Sequence, residues 1–138
     1  MKKTILLLCV LLAACHSAEV RDPMVRSVRR GDVVFSARRD ESWMSKSQAH
    51  YTGFLVRIDY SSARTFTPGQ RETMDFGMQD YFALVKGADT LRPIFCQRIS
   101  DGNADRAAYT VAFNDSTGGG ALLLDDPLFG LQRQVLKW

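Results

Sequence analysis

The chain has few of the residues from which disulfides and metal sites are built. Its 138 residues include three cysteines, Cys9, Cys15 and Cys96, and two histidines, His16 and His50. Zinc sites need three or four cysteine, histidine or carboxylate ligands at suitable spacing. A histidine-rich metal site is therefore excluded, and we expect no cofactor.

The N-terminal segment lacks an apolar run long enough to cross a bilayer. After Lys2 and Lys3, the uncharged apolar stretch covers residues 5–14, about ten residues. That length is typical of a signal-peptide core and falls well short of the ~20 residues that a transmembrane helix needs. Ordinary signal-peptide cleavage would best follow Ala18, but it would place the bulky His16 at a position where a small residue is preferred.

The residues that end this run are Leu12, Ala13, Ala14 and Cys15. They resemble the lipobox of bacterial lipoproteins, in which a branched apolar residue and two small residues precede a cysteine. The resemblance implies a diacylglyceryl group on the Cys15 sulfur, cleavage between Ala14 and Cys15, and usually acylation of the new amino group. Two or three acyl chains anchor a protein durably, whereas one chain does so only marginally. We therefore predict that the chain is attached to a lipid bilayer through Cys15.

This processing divides the chain into three parts. Residues 1–14 are the predicted lipoprotein signal peptide, residues 15–30 the lipidated N-terminus and flexible tether, and residues 31–138 a single folded domain. The tether is polar and is interrupted by Pro23. It contains four arginines that either contact anionic headgroups or belong to a solvated linker: Arg21, Arg26, Arg29 and Arg30.

Removal of the leader changes both the net charge and the cysteine count. The formal net charge of +3 falls to about +1 when Lys2 and Lys3 are lost, so nucleic acid is not an expected partner. With Cys9 removed and Cys15 acylated, Cys96 has no intramolecular disulfide partner. We predict that Cys96 is a buried strand residue, because no histidine or lysine lies beside it in the sequence to stabilise a thiolate.

Beyond the tether, the apolar residues recur with period two, which indicates strands. Within residues 51–60, for example, Phe54, Val56 and Ile58 alternate with Leu55 and other residues. About seven such segments follow one another at spacings near ten residues, and no amphipathic helix of the usual length separates them: 32–39, 51–60, 81–87, 91–100, 107–114, 120–126 and 130–138. This pattern predicts an antiparallel β-sandwich.

The C-terminal half carries a second resemblance, based on strand pattern and turn placement. The stretches DYFALVKGADTLRP, AAYTVAF and LLLDDPLFGLQRQVLKW are similar to small immunoglobulin-like lipoprotein domains of Bacteroidota-type bacteria. The chain lacks the Cys…Trp…Cys core of antibody-type domains. The resemblance implies an all-β fold, an antiparallel immunoglobulin-like β-sandwich of about seven strands.

One loop offers a weak calcium candidate. Asp101, Asn103 and Asp105 occupy alternate positions, as oxygen ligands do at the start of a calcium-binding loop. An EF-hand needs glycine at the sixth position and glutamate at the twelfth, where this chain has Arg106 and Ala112. A turn between strands accounts for the same Asp, Gly and Asn residues, so we predict no metal site.

Signatures of catalysis are missing. The chain contains neither a G-x-S-x-G nucleophile elbow nor a G-x-x-x-x-G-K-[ST] phosphate-binding loop. We therefore predict no catalytic residues. A hydrolase with a loop-built site stays open as an alternative, and it would require Asp75, Asp80, His50 and a serine to meet in one pocket.

The aromatic residues supply the candidate contact sites. Most of those in the first half should fill the core: Trp43, Tyr51, Phe54, Tyr60, Phe66, Phe76, Tyr81 and Phe82. Trp43 lies in a polar stretch, so we expect it to be exposed and to contact a partner or ligand together with Tyr51. Residues 61–80 are long for a sandwich loop, and long loops often carry binding sites.

These features favour a membrane-anchored envelope lipoprotein that acts as a non-enzymatic accessory, scaffold or binding module for another envelope protein. A lipoprotein that binds carbohydrate or a small ligand through Trp43 and Tyr51 is the alternative. His16 follows Cys15, where an aspartate would retain a lipoprotein at the inner membrane in the best-known systems. The sequence therefore predicts the outer membrane. The sparse acidic residues after Cys15 favour a periplasm-facing position, with the cell surface as the other option.

Overall fold

The structure is a computed structural model and describes residues 24–40, 42 and 51–138. Within these residues the chain forms nine strands: β1 (Val25–Arg30), β2 (Val33–Arg39), β3 (Thr52–Asp59), β4 (Phe82–Lys86), β5 (Asp89–Leu91), β6 (Phe95–Ile99), β7 (Arg106–Phe113), β8 (Ala121–Asp125) and β9 (Arg133–Lys137). Between β3 and β4 lie a short helix, α1 (Pro68–Glu72), a π-helical turn (Thr73–Gly77) and a 3₁₀ turn (Met78–Asp80). None of the described helices is long and apolar enough to span a membrane.

The strands form two antiparallel sheets. The five-stranded sheet has the order β1-β2-β3-β7-β6, and the four-stranded sheet has the order β5-β4-β8-β9. A single hydrophobic core contains buried residues from both sheets. The architecture confirms the predicted all-β antiparallel sandwich, with nine strands in the described residues instead of about seven.

The core follows from the predicted alternation along the strands. Phe54, Val56 and Ile58 of β3 are no more than 2% exposed, and the neighbouring Arg57 is exposed. Because successive side chains of a strand point to opposite faces, a period-two apolar pattern buries one face and leaves the other in solvent. Phe54 also packs edge-on against Phe113 of β7, with 6.0 Å between the ring centroids.

The predicted tether ends earlier than expected, because residues 25–30 form β1 at the edge of the five-stranded sheet. The core-facing positions of this strand lie opposite Ala37, Phe35 and Val33 of β2. The three β1 residues at these positions are Arg26, Val28 and Arg30, and only Val28 is apolar. A strand with one apolar inward residue carries almost no period-two signal, so its sequence resembles a linker.

Segment 91–100, predicted as a single strand, is divided between the two sheets. β5 pairs with β4 across a turn at Gly87 and Ala88. The chain then leaves the four-stranded sheet at Pro93, and β6 pairs with β7 at the outer edge of the five-stranded sheet. Pro93 lies just before β6, which is an edge strand, so its missing N–H costs no ladder hydrogen bond.

Opposite β6, the two sheets are joined by their outer strands β1 and β9. Arg26 Nε donates to the Lys137 carbonyl at 3.0 Å, and Trp138 Nε1 donates to the Met24 carbonyl at 3.2 Å. Both bonds lie at the end of the sandwich where β1 begins. The chain therefore enters the domain beside its own C-terminal residue.

Candidate functional site

The long connection between β3 and β4 presents one phenylalanine to solvent. Phe76, in the π-helical turn, is 85% exposed, whereas Met74 and Met78 on either side are each 2% exposed. The prediction that the aromatic residues fill the core holds for Phe54, Tyr60 and Phe82 and is wrong for Phe76. An exposed phenylalanine between two buried methionines is a candidate contact point.

Local interactions hold this turn in place. α1 begins at a capping box: Gln70 N donates to Thr67 Oγ1 at 3.2 Å, and Thr67 N donates to Gln70 Oε1 at 2.9 Å. Further along, the buried Tyr109 hydroxyl of β7 donates to the Met74 carbonyl at 2.8 Å. After Phe76, Tyr81 N donates to the Met78 carbonyl at 3.0 Å, so Phe76 projects from a segment that is hydrogen-bonded on both sides.

An open groove of about 560 Å³ lies between this turn and β6. The turn contributes Asp75 and Phe76, and the β6 side contributes Cys96, Gln97, Arg98 and Ser100. Side chains of a strand alternate between its faces, so three consecutive lining residues show that the groove runs along the edge of β6. Here β6 is the outer strand of its sheet, and the helical connection lies alongside that edge.

Asp75 and Arg98 form an ion pair that links the turn to β6. The same two residues also line a second cleft of about 270 Å³ on the other side of the pair. This arginine-lined cleft is bounded by Tyr60, Arg64, Phe66, Arg71, Asp75 and Arg98. The groove and the cleft are therefore neighbours that share one wall.

Cys96 is half-buried in β6 and packs against the core. Burial raises the pKa of its thiol to about 12, so the group is protonated and weakly nucleophilic near neutral pH. The prediction of a strand position is confirmed, although the side chain is buried less completely than expected. Cys96 thus contributes a soft apolar surface to the groove.

Of the predicted contact residues, Trp43 lies outside the described residues. Tyr51 is half-buried just before β3, and it lines neither the groove nor the cleft. The structure therefore places Tyr51 outside both the groove and the cleft.

The calcium candidate is a turn held by its own side chains. Asp101 Oδ1 accepts from Asn103 N at 3.1 Å, and Asp101 Oδ2 accepts from Arg106 Nη1 at 3.4 Å. Hydrogen bonds from the Asn103 side chain and backbone, and then from Arg106, lower the pKa of the Asp101 carboxyl. No group of three or more His, Cys, Asp or Glu side chains in the part of the chain that the structure describes is placed to hold a metal ion.

Of the residues that a hydrolase would require, the structure brings only Asp75 and a serine into one pocket among the described residues. Asp75 and Ser100 line the same groove, but the Asp75 carboxylate accepts from Arg98. Asp80 lies on the following turn and is not among the groove residues, and its carbonyl accepts from Arg92 at 3.0 Å. His50 lies outside the described residues.

The sequence contained one overlooked signal for this site. Met74 and Met78 are four residues apart, which places them on one face of a helical turn and Phe76 on the opposite face. No comparable local signal exists for Arg64, Arg71 and Arg98, because their separations along the chain follow no period.

Comparisons of the chain with protein-family models, with curated proteins and with solved structures gave no match.

Proposed function

We propose that the protein is a lipid-anchored bacterial envelope lipoprotein, attached through Cys15, whose β-sandwich binds another envelope protein through the surface around Phe76. The exposure of Phe76 is the observation that carries the proposal. The Leu12, Ala13, Ala14 and Cys15 sequence supports the anchor. The module is non-enzymatic and serves as an accessory or scaffold.

The surroundings of Phe76 match the composition of a protein interface. Aromatic residues and arginine are enriched in interface cores, and here Phe76 lies beside Arg98 at the groove. Burying a fully exposed phenylalanine contributes about 1.5–3 kcal/mol. The hydrogen bond from Tyr109 to Met74 orders the turn in advance, so little conformational entropy is lost when a partner covers it.

The early start of β1 limits how far the domain can stand from the bilayer. About nine residues separate Cys15 from Val25, the first strand residue. At ~3.3 Å per extended residue they span at most roughly 30 Å. A partner of the domain would therefore lie in the zone next to the membrane. We propose that this zone is on the periplasmic side of the outer membrane.

The anchor is tested by mass spectrometry of the N-terminal peptide from membrane-extracted protein. We expect a peptide that begins at acylated Cys15, and a Cys15→Ala variant that leaves the membrane fraction or keeps its leader. Recovery of an unmodified Cys15 peptide, or of a mature chain that begins after Ala18, would contradict the proposed lipid anchor at Cys15.

The binding surface is tested in cells with a photo-crosslinking amino acid at position 76. Position 90 in β5 is the matched control, because Thr90 is also exposed but belongs to the opposite sheet. We expect one envelope protein to be captured from position 76, not from position 90, and less efficiently in the Cys15→Ala background. Equal capture from both positions, or none from either, would contradict docking at Phe76.

A second candidate function is the binding of carbohydrate or another small ligand in the groove. The observation that favours it is an exposed aromatic ring flanked by Asp75, Gln97, Arg98 and Ser100. This platform is built around Phe76, and the predicted Tyr51 does not line it. A glycan array probed with the full chain and with Phe76→Ala separates the two functions, because only ligand binding predicts a saturable, Phe76-dependent glycan signal.

A further inference from the structure

We propose that the arginine-lined cleft binds an oxyanion, namely a phosphate or carboxylate group of a soluble ligand. Arg64, Arg71 and Arg98 converge on this cleft from three separate elements. The site shares Asp75 and Arg98 with the groove beside Phe76, but Phe76 itself does not line it, and the binding of the anion does not require the proposed protein partner.

The floor of the cleft is largely buried, and its walls are positively charged. Met74 is 2% exposed and Tyr60 is 8% exposed, whereas the arginines lie along the more exposed walls. Its volume of about 270 Å³ corresponds to roughly nine water molecules at ~30 Å³ each. That is enough space for one oxyanion and part of the molecule that carries it.

Arg64 and Arg71 are oriented by backbone contacts that leave most of their donors available. Arg64 Nη1 donates to the Phe129 carbonyl at 3.0 Å, and Arg71 Nε donates to the Phe66 carbonyl at 3.2 Å. Backbone carbonyls fix a guanidinium without neutralising its charge. Since a guanidinium carries five N–H donors in a planar fork, both residues keep donors suited to bidentate contact with an oxyanion.

The carboxylates near the cleft only partly balance this charge. Asp75 pairs with Arg98, and Asp32 Oδ1 lies 3.8 Å from Arg64 Nη2 at an exposed position. Of the charged residues that line the cleft, three are cationic and one is anionic, which leaves a net charge of +2. Like charges held close together repel one another. A bound anion would relieve this repulsion.

The Arg98–Asp75 pair by itself has a structural explanation, since it attaches the helical turn to β6. That explanation does not cover Arg71, whose carbonyl contact a neutral donor could make equally well, and Arg64 has in addition only its 3.8 Å ion pair with the exposed Asp32. The presence of all three arginines in the lining of one cleft is the observation that points to an anionic ligand.

The position of the cleft favours a soluble molecule over a lipid headgroup as the source of the bound oxyanion. This inference depends on the proposed anchor at Cys15. β1 begins at Val25, its end nearer to Cys15 along the chain, and extends for six residues to the turn that contains Asp32. At ~3.3 Å per residue this separates the two ends by roughly 20 Å. Arg64 contacts Asp32, so the cleft lies at the end of β1 away from the anchor.

The site is tested by thermal unfolding of the full chain in a neutral detergent, with inorganic phosphate and citrate as probes. Sodium chloride at matched ionic strength controls for screening. We expect a saturable rise in Tm of about 3–5 °C when a probe reaches tenfold its Kd. A rise no larger than that produced by chloride would overturn the site.

Variants locate the effect in the cleft. Arg71→Ala should weaken binding tenfold or more, Arg71→Lys should weaken it less, and Phe76→Ala should leave it unchanged. Arg133→Ala is the matched control, because Arg133 is an exposed arginine of β9 that pairs with Asp125. Retention of full affinity in Arg71→Ala, or equal loss in Arg133→Ala, would contradict the proposal.

A further measurement distinguishes a binding role of Arg71 from a structural one. At low ionic strength and without anion, Arg71→Ala should unfold at the same temperature as the wild type or higher, because repulsion in the cleft is relieved. A lower Tm would indicate that Arg71 serves the fold.

The lipid source is tested with the full-length Cys15→Ala chain and vesicles of phosphatidylglycerol or phosphatidylcholine. We expect no vesicle binding that depends on Arg71. Binding to the anionic vesicles alone, abolished by Arg71→Ala and by free phosphate, would overturn the soluble-ligand assignment in favour of a headgroup.

Discussion

The Nζ atom of Lys86 lies 2.6 Å from Oδ1 of Asp115, and this ion pair connects the two sheets of the sandwich. Lys86 ends β4 in the four-stranded sheet, and Asp115 follows β7 of the five-stranded sheet. Asp115 Oδ2 also accepts from Thr52 Oγ1 at 3.1 Å and from Gly118 N at 3.2 Å. The Asp115 side chain is only 8% exposed, so its hydrogen bonds are largely shielded from water.

We expect Asp115→Asn to destabilise the domain by about 2 kcal/mol, because hydrogen bonds to charged groups contribute ~1.5–3 kcal/mol and Lys86 would lose its counter-ion. The free energy of unfolding in urea measures this loss. Asp125→Asn is the control, since it breaks the exposed Asp125–Arg133 pair and should cost under about 1 kcal/mol. Equal losses in the two variants would show that the Lys86–Asp115 pair is not a major link between the sheets.

The same carboxylate predicts how stability depends on pH. Burial raises the pKa of Asp115, but hydrogen bonds from Lys86, Thr52 and Thr117 outweigh it, so the pKa is lower in the folded than in the unfolded chain. Its contribution is therefore fully present above the unfolded pKa of ~3.9 and is lost as the pH falls through the folded value. The stability difference between wild type and Asp115→Asn should be constant from pH 7 to 5 and shrink below pH ~4. A difference that persists unchanged to pH 2 would contradict this assignment.

Tyr109→Phe should loosen the turn that presents Phe76. The substitution leaves the buried Met74 carbonyl without its 2.8 Å hydrogen bond, at a cost of about 1–2 kcal/mol. Amide hydrogen exchange of residues 73–78 should accelerate more than exchange in β3. Tyr81→Phe is the control, because the Tyr81 hydroxyl forms no hydrogen bond with a described residue. Unchanged exchange in residues 73–78 would mean that other contacts hold the turn.

Cys96 should react slowly with iodoacetamide in the folded protein. With a pKa of about 12, its thiolate fraction at pH 8 is roughly a thousandfold below that of a free cysteine of pKa ~8.5. Mass spectrometry of the peptide that contains Cys96 gives the rate, and the same reaction in urea gives the reference. Labelling in buffer as fast as in urea would show that the thiol is not shielded.

Much of the fold was predictable because it is encoded locally. The alternation in β2, β3 and β7 reports directly which side chains face the core. The two unpredicted strands, β1 and β5, carry no such signal. Arginine occupies two core-facing positions in β1, and β5 is three residues long.

The site was less predictable. The spacing of Met74 and Met78 contained information about Phe76, but it was obscured by the expectation that aromatic residues are buried. Trp43, which the sequence favoured as a contact residue, lies outside the described residues.

The sequence by itself therefore determined the all-β class and the core-facing residues of the strong strands, because each depends on residues that are neighbours along the chain. Lipid attachment at Cys15 stays a prediction from the same kind of local pattern. Tertiary structure decided which strands share a sheet, how Pro93 transfers the chain between sheets, and how Arg64, Arg71 and Arg98 meet. Such relationships arise when the core closes and brings together residues that are far apart in the chain, so no local pattern could record them.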